Sequence, residues 1–340
     1  MSALALHQIG LVTAVGNTAS ASCAAFRAKV SNPTPTRFMN GCGEWSLAHA
    51  VAWPDQLKGL ARLLAMAVQA TQEALNGVSV ADAAGIPLLL CVAEKERPGR
   101  LSGLDDTLIE RLQADLGYRF AADSCVIAQG RVSVAVAMAM ARKLLDAARA
   151  TRVLIVAVDS LLSGPTLSHF DRVGRLLTPD NSNGFMVGEG AGALLVGRPG
   201  QGPQLLCTGM GFAIEQAHID SEMPLRADGL SAALKDAVAE AGLGVGDFDY
   251  RIADLSGEQY YFKEATLALQ RTLHSPKPEF DLWHPAECTG EAGALAGAAI
   301  LALADAAARK GYARGPNVIA HMSNDAGPRA VLALQFNKGA

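Results

Sequence analysis

The chain has 340 residues, half of them apolar and 18% charged, with a net charge of −4. That length buries a large core, and the mild acidity without a basic stripe excludes a surface built to neutralise nucleic-acid phosphates. Cys23, Cys42, Cys91, Cys125, Cys207 and Cys288 stand singly, with no CxxC and no HxxxH, which excludes a zinc-type spacing and fits reduced thiols in a cytoplasmic protein.

The opening MSALALHQIGL has no basic region before a long apolar run, so no signal peptide is expected. Residues 3–12 read as a strand. Residues 18–30 read as a helix with Asn17 or Thr18 to cap it. In 56–75, Leu60, Leu63, Leu64 and Ala67 share one helical face. IPLLLCV (86–92) is a continuous apolar run, as for a strand covered on both faces. Residues 133–148 are apolar nearly all round, as in a buried helix. The apolar window 132–141 is too short to span a membrane. Residues 153–158 form another buried strand. GFMVGEGAG then crowds glycines around Glu189 before a strand at 193–196; a Gly-rich turn with one capping acid covers that pattern. Segments 93–122 and 159–183 are polar and read as irregular excursions.

GRPGQGP (197–203) interrupts the chain with three glycines and two prolines. The grammar then repeats. Strands are expected at 205–212 and 249–255, helices at 229–241 and 293–310, and closing strands at 318–322 and 330–336. This suggests duplicated halves, 1–200 and 204–340.

Four stretches resemble β-ketoacyl synthases of the thiolase-like superfamily. They are IGLVTAVGNTASASCAAFRAKVSNPTP (9–35), GFMVGEGAGALLV (184–196), CTGEAGALAGAAILALA (288–304) and MSNDAGPRAVLALQF (322–336). The resemblance covers roughly 9–337. It implies an α/β thiolase fold: two duplicated βα halves stacked as five αβαβα layers, usually dimeric. It also implies that Gly184, Gly188, Gly190 and Gly192 are scaffold, letting a strand and loop pack close, with Glu189 tying down main-chain N–H groups.

Such condensing enzymes use a Cys at a helix N-terminus, where the dipole favours thiolate, and two histidines that stabilise the thioester oxygen. Carried over, the nucleophile falls in QGRVS (129–133), with Gln129 at the Cys position. The first His position is Ser256, the second is Glu291, and the supporting Lys position is Ala286 or Glu287. Each is changed. Cys125 falls too early, inside the strand-like SCVIA. Ser133 is the alternative nucleophile, His284 and His321 are candidate bases, and Glu291 can act as a base or pair with Arg131. No metal and no cofactor are expected.

The resemblance therefore implies a pseudoenzyme that binds or scaffolds a protein, as in degenerate relatives beside bacterial type VI secretion effectors. The alternative is a silent chain-length-factor-like subunit, or an atypical β-ketoacyl synthase or acyltransferase, in fatty acid, polyketide or polyene synthesis. Expected partners are a protein, in a homo- or heterodimer, and an acyl-carrier protein or acyl-CoA; no nucleic acid and no membrane. The chain is shorter than typical members, implying trimmed excursions around the acyl tunnel and dimer interface. A dinucleotide-binding reading of GEGAG fails, because that fingerprint must follow a strand and open a helix.

Overall fold

The computed structural model describes residues 2–53 and 57–339. The first half runs β1 (Leu4–Thr13), α1 (Ala19–Ala28), β2 (Thr34–Met39), β3 (Trp45–His49), α2 (Gly59–Ala74), α3 (Val80–Ala83), β4 (Leu88–Val92), α4 (Thr107–Leu116), β5 (Cys125–Ala128), α5 (Ser133–Asp146), β6 (Arg152–Ser160), α6 (Gly164–Arg172) and β7 (Val187–Gly197). The second runs β8 (Gln204–Ile214), α7 (Asp228–Glu240), β9 (Tyr250–Ala253), α8 (Gln259–Thr272), β10 (Leu282–Trp283), α9 (Ala286–Thr289), α10 (Leu295–Arg309), β11 (Asn317–Ser323) and β12 (Pro328–Asn337).

The strand order repeats. In the first half it is β1-β7-β6-β4-β5, and in the second β8-β12-β11-β9-β10. The senses repeat too: in each array the first three strands run antiparallel to their neighbours and the last three run parallel. A short antiparallel ladder, Leu4–Leu6 against Leu205–Cys207, joins the two arrays.

The helices α5 and α10 lie between the arrays. Val134, Ala137, Leu295, Ala298 and Leu301 there form one buried cluster with Leu11, Leu194, Met322 and Leu332 from the sheets. Outside the first array, Leu63, Ala67 and Ala70 of α2 pack on Leu90, Val156 and Leu195. Outside the second, Ala233 and Ala237 of α7 pack on Ile319 and Val331. This gives five layers, αβαβα. With few aromatics, the layers close through Ala- and Gly-lined contacts rather than large interlocking rings.

The sequence expectations need four corrections. The glycine segment is not a turn: β7 begins at Val187 and is buried along its whole length. The excursions are partly ordered, since 93–122 contains α4 and 159–183 contains α6. The hairpin β2–β3 and the helix α8 went unanticipated. The helix expected from Gln56 begins at Gly59, and Gln56 lies outside the described residues. Thr18 is the cap of α1, accepting from the Ala21 N–H at 3.2 Å.

Candidate functional site

The glycines of β7 fix where the site sits. A Cβ at Gly188 would collide with the Thr289 carbonyl oxygen, and one at Gly192 with Ala298 of α10. The bare backbone thus lets β7 lie against the 289–298 segment. Two main-chain hydrogen bonds lock the register: Gly188 N–H donates to the Glu291 carbonyl, and Glu291 N–H donates to the Met186 carbonyl, both at 2.8 Å. Glu189 points to the other side. It accepts from the Val51 N–H at 3.0 Å, the Arg62 Nε at 2.9 Å and the Ser160 hydroxyl at 2.9 Å. It is fully buried and ties Val51 and Arg62 to β7.

At the end of β5 the chain turns sharply. Gly130 has φ +52°, a left-handed conformation that suits glycine. A 3₁₀ turn, Gly130–Val132, then feeds α5. Gln129 is exposed, and its main-chain carbonyl accepts from Asn324 Nδ2 at 2.8 Å. It lines a cleft of about 1100 Å³ together with Cys125, His169, Arg175 and Asp325. Ser133 is completely buried. Its Oγ accepts from the Gln129 N–H at 3.1 Å and donates to the Ile127 carbonyl at 3.2 Å. That hydroxyl braces the elbow and has no base beside it. Burial raises the Cys125 thiol above its ordinary value, with Asp123 adding to the effect, so thiolate is disfavoured there.

Ser256 and Glu291 meet, the Ser256 hydroxyl donating to Glu291 Oε2 at 2.9 Å. Between them and the Gln129 elbow sits the buried guanidinium of Arg131. Its Nη1 lies 3.2 Å from Glu291 Oε2, its Nη2 lies 2.6 Å from the Tyr261 hydroxyl and also bonds Asp325, and its Nε lies 3.8 Å from Asp254. Its face covers the Tyr261 ring at 4.5 Å. Arg175 extends the cluster, forking onto Glu258 at 2.7 and 2.8 Å and reaching Asp325 at 2.8 Å. Of these partners, sequence reasoning anticipated only Arg131 with Glu291. Arg175, Tyr261, Asp325, Asp254 and Glu258 come from four other segments, and no local pattern marks them.

The electrostatics follow from burial. Glu291 is raised above the usual carboxylate range by desolvation, which Arg131 partly offsets. Asp254 is pushed up to about 7 by burial, against Arg131 and the Ser323 N–H. Burial also opposes the charge on Asp325, but Arg131 and Arg175 hold it well below the usual range. Two cations thus face four acids, and burial raises two of those acids, Asp254 and Glu291.

The histidines do not join this cluster. His284 lies 3.3 Å from Glu287 Oε1 and edge-on to Phe262. It shares a cavity of about 300 Å³ with Ser256 and the buried His49, which the sequence reading missed. His321 does not face the site: its ring lies among Leu230, Leu234, Ala268 and Leu269, under α7 and α8. Burial beside Arg251 and Arg329 pushes it down to about 3. Among the described residues no cluster of His, Cys, Asp or Glu could hold a metal ion, and no helix is long and apolar enough to cross a membrane.

No family model and no curated protein matches the chain. Solved structures do. A type II polyketide acyl-carrier protein in complex with its ketosynthase matches at 14% identity and a TM-score of 0.82, covering 98% of this chain and 99% of that one. The ishigamide ketosynthase/chain length factor matches at 18% identity and 0.80, with the same coverage. A ketosynthase in complex with its chain length factor, from Xenorhabdus doucetiae, matches at 13% identity and 0.74, covering 99% and 98%. The chain therefore has the ketosynthase, thiolase-like fold over nearly its full length.

Proposed function

We propose that this protein is a catalytically silent ketosynthase-fold subunit that works by holding a protein partner. One observation carries the reading. The guanidinium of Arg131, paired to Glu291 and Asp325, lies between the Gln129 elbow and Ser256, where the resemblance places a thiolate and two histidines. A carboxylate at Glu291 would repel a developing enolate rather than stabilise it. The Ser133 hydroxyl is committed to main chain.

Two observations support a protein partner. Among the described residues β5 pairs on one side only, with β4, and its other edge borders the large cleft; an unpaired edge is a template for another strand. The matching structures include ketosynthases with chain length factors or an acyl-carrier protein, which favours a chain-length-factor-like role in fatty acid, polyketide or polyene synthesis. An adaptor role beside a secretion effector shares the silent site and differs only in the partner. The strand repeat supports a division into halves at 198–203.

Intact-protein mass spectrometry after incubation with acyl-CoA and malonyl-carrier-protein donors, with released CO2 followed in parallel, tests the silent site. The expected result is no covalent mass gain and no CO2. An acyl adduct on Ser133, Ser256 or Cys125 overturns the reading.

A further inference from the structure

A second cavity, of about 210 Å³, opens at the far edge of the second array, between α1, β10, α9 and the end of α10. None of the Arg131 cluster lines it. Phe26, Leu303 and Cys288 form its buried back wall. Trp283 and Tyr312 line one side, their rings stacked with centroids 6.3 Å apart and planes 26° from parallel. The cavity is smaller than the roughly 300–1,000 Å³ of drug-sized pockets, so it suits a ligand of about a dozen heavy atoms or fewer.

The rim sets the charge of that ligand. Arg27 lies 4.6 Å over the Tyr312 ring, and Lys29 lies 3.5 Å from Glu287. Glu287 is the one acid lining the cavity, and Lys29 and His284 already face it. Arg27 has no acid partner among the described residues. With its face on Tyr312, its planar donors are left for a carboxylate. Burial lowers His284, which keeps that ring neutral near pH 7.

We infer that this cavity binds a small monocarboxylate, its apolar body among Trp283, Tyr312 and Leu303 and its carboxylate on Arg27. Charge complementarity selects this class: an amine of the same size would meet the cations Arg27 and Lys29.

Calorimetric titration of the full chain with benzoate and, separately, benzylamine tests it. Saturable binding of benzoate is expected, with benzylamine at least 10-fold weaker. The exposed-site variant Arg27→Ala should weaken benzoate about 10-fold, the scale of one charge-assisted hydrogen bond. Leu282→Trp, which crowds the mouth, should abolish binding, and melting curves report whether that variant folds. No saturable benzoate binding overturns the inference. So does benzylamine binding equal to benzoate, or benzoate binding unchanged in Arg27→Ala. The outcome is independent of acyl chemistry at the Gln129 elbow.

Discussion

Replacing Arg131 by Met keeps the side-chain bulk and removes the charge. The guanidinium lies 3.2 Å from Glu291 and 3.8 Å from Asp254. At an effective dielectric of about 20 those attractions are worth roughly 5 and 4 kcal/mol, as upper bounds. Much of this is relieved in the variant, because an uncompensated buried carboxylate takes up a proton. The net cost of breaking a buried pair is about 3–5 kcal/mol. The variant should lose that much at pH 8 in urea unfolding followed by far-UV circular dichroism. At pH 5.5, where Asp254 is largely protonated, the loss should be smaller, though the ionised Asp325 keeps part of it. The double variant Arg131→Met with Glu291→Gln should recover part of the loss at pH 8. A cost below about 1 kcal/mol at both pH values would refute the reasoning, because it would mean the cluster is open to water and the old pocket is not closed.

Asp254 supplies a pH signature of its own. Its folded-state value is raised to about 7, so between about pH 4 and 7 the folded chain holds a proton that the unfolded chain has lost. Stability from this group is greatest below about pH 4, falls as pH rises to about 7, and is flat beyond. Asp254→Asn should therefore stabilise the protein by a few kcal/mol at pH 8 and by almost nothing at pH 4, read as urea midpoints. An equal effect at both pH values would show that Asp254 is not the titrating group. Asp325 runs the other way: its lowered value gives a contribution present above about pH 4 and lost only below it. Gly188→Ala should cost more than about 3 kcal/mol or abolish soluble expression, because the new Cβ strikes the Thr289 carbonyl; a melting temperature within a few degrees of the parent would contradict the packing described. Reinstating the condensing residues as Gln129→Cys, Ser256→His and Glu291→His should yield no acyl adduct by mass spectrometry while Arg131 remains. Acylation of that triple variant would show that the guanidinium is no obstacle.

The buried elements were legible in the apolar runs, and their five-layer arrangement was implied by the resemblance. The strands at 86–92 and 153–158 and the helices at 133–148 and 293–310 read correctly from apolar runs, since both faces of each are covered. The start of β7 was not legible. Glycine is a poor strand former, and what makes VGEGAG extended is its contact with Thr289, Leu295 and Ala298, which lie about a hundred residues away. The helix α8 carries Tyr261, Ala265 and Ala268 on its buried face, but its polar composition hid the spacing. At the site, the resemblance located Gln129, Ser256 and Glu291. Of these, Ser256 and Glu291 meet directly, while Gln129 reaches the cluster through the neighbouring Arg131 and through Asn324. Their replacement chemistry was hidden, because Arg175, Asp325 and Tyr261 acquire meaning only once the fold assembles them.

A buried ion cluster is a costly way to fill an interior, since hydrophobic residues of similar volume are often neutral or stabilising. What the charges add is direction. Arg131 comes from the elbow after β5, Glu291 from the turn before α10, Asp254 from the end of β9, Tyr261 from α8, and Asp325 from the turn between β11 and β12. Four of these five segments belong to the second half and one to the first. An apolar plug would tolerate sliding between the arrays, whereas a guanidinium with fixed donors sets one registry. Arg175 adds a second tie from the first half, at the end of the α6 segment, to Glu258 and Asp325. The same segment borders the large cleft beside the β5 edge. The residues of the buried ion cluster therefore also shape the large cleft beside the β5 edge.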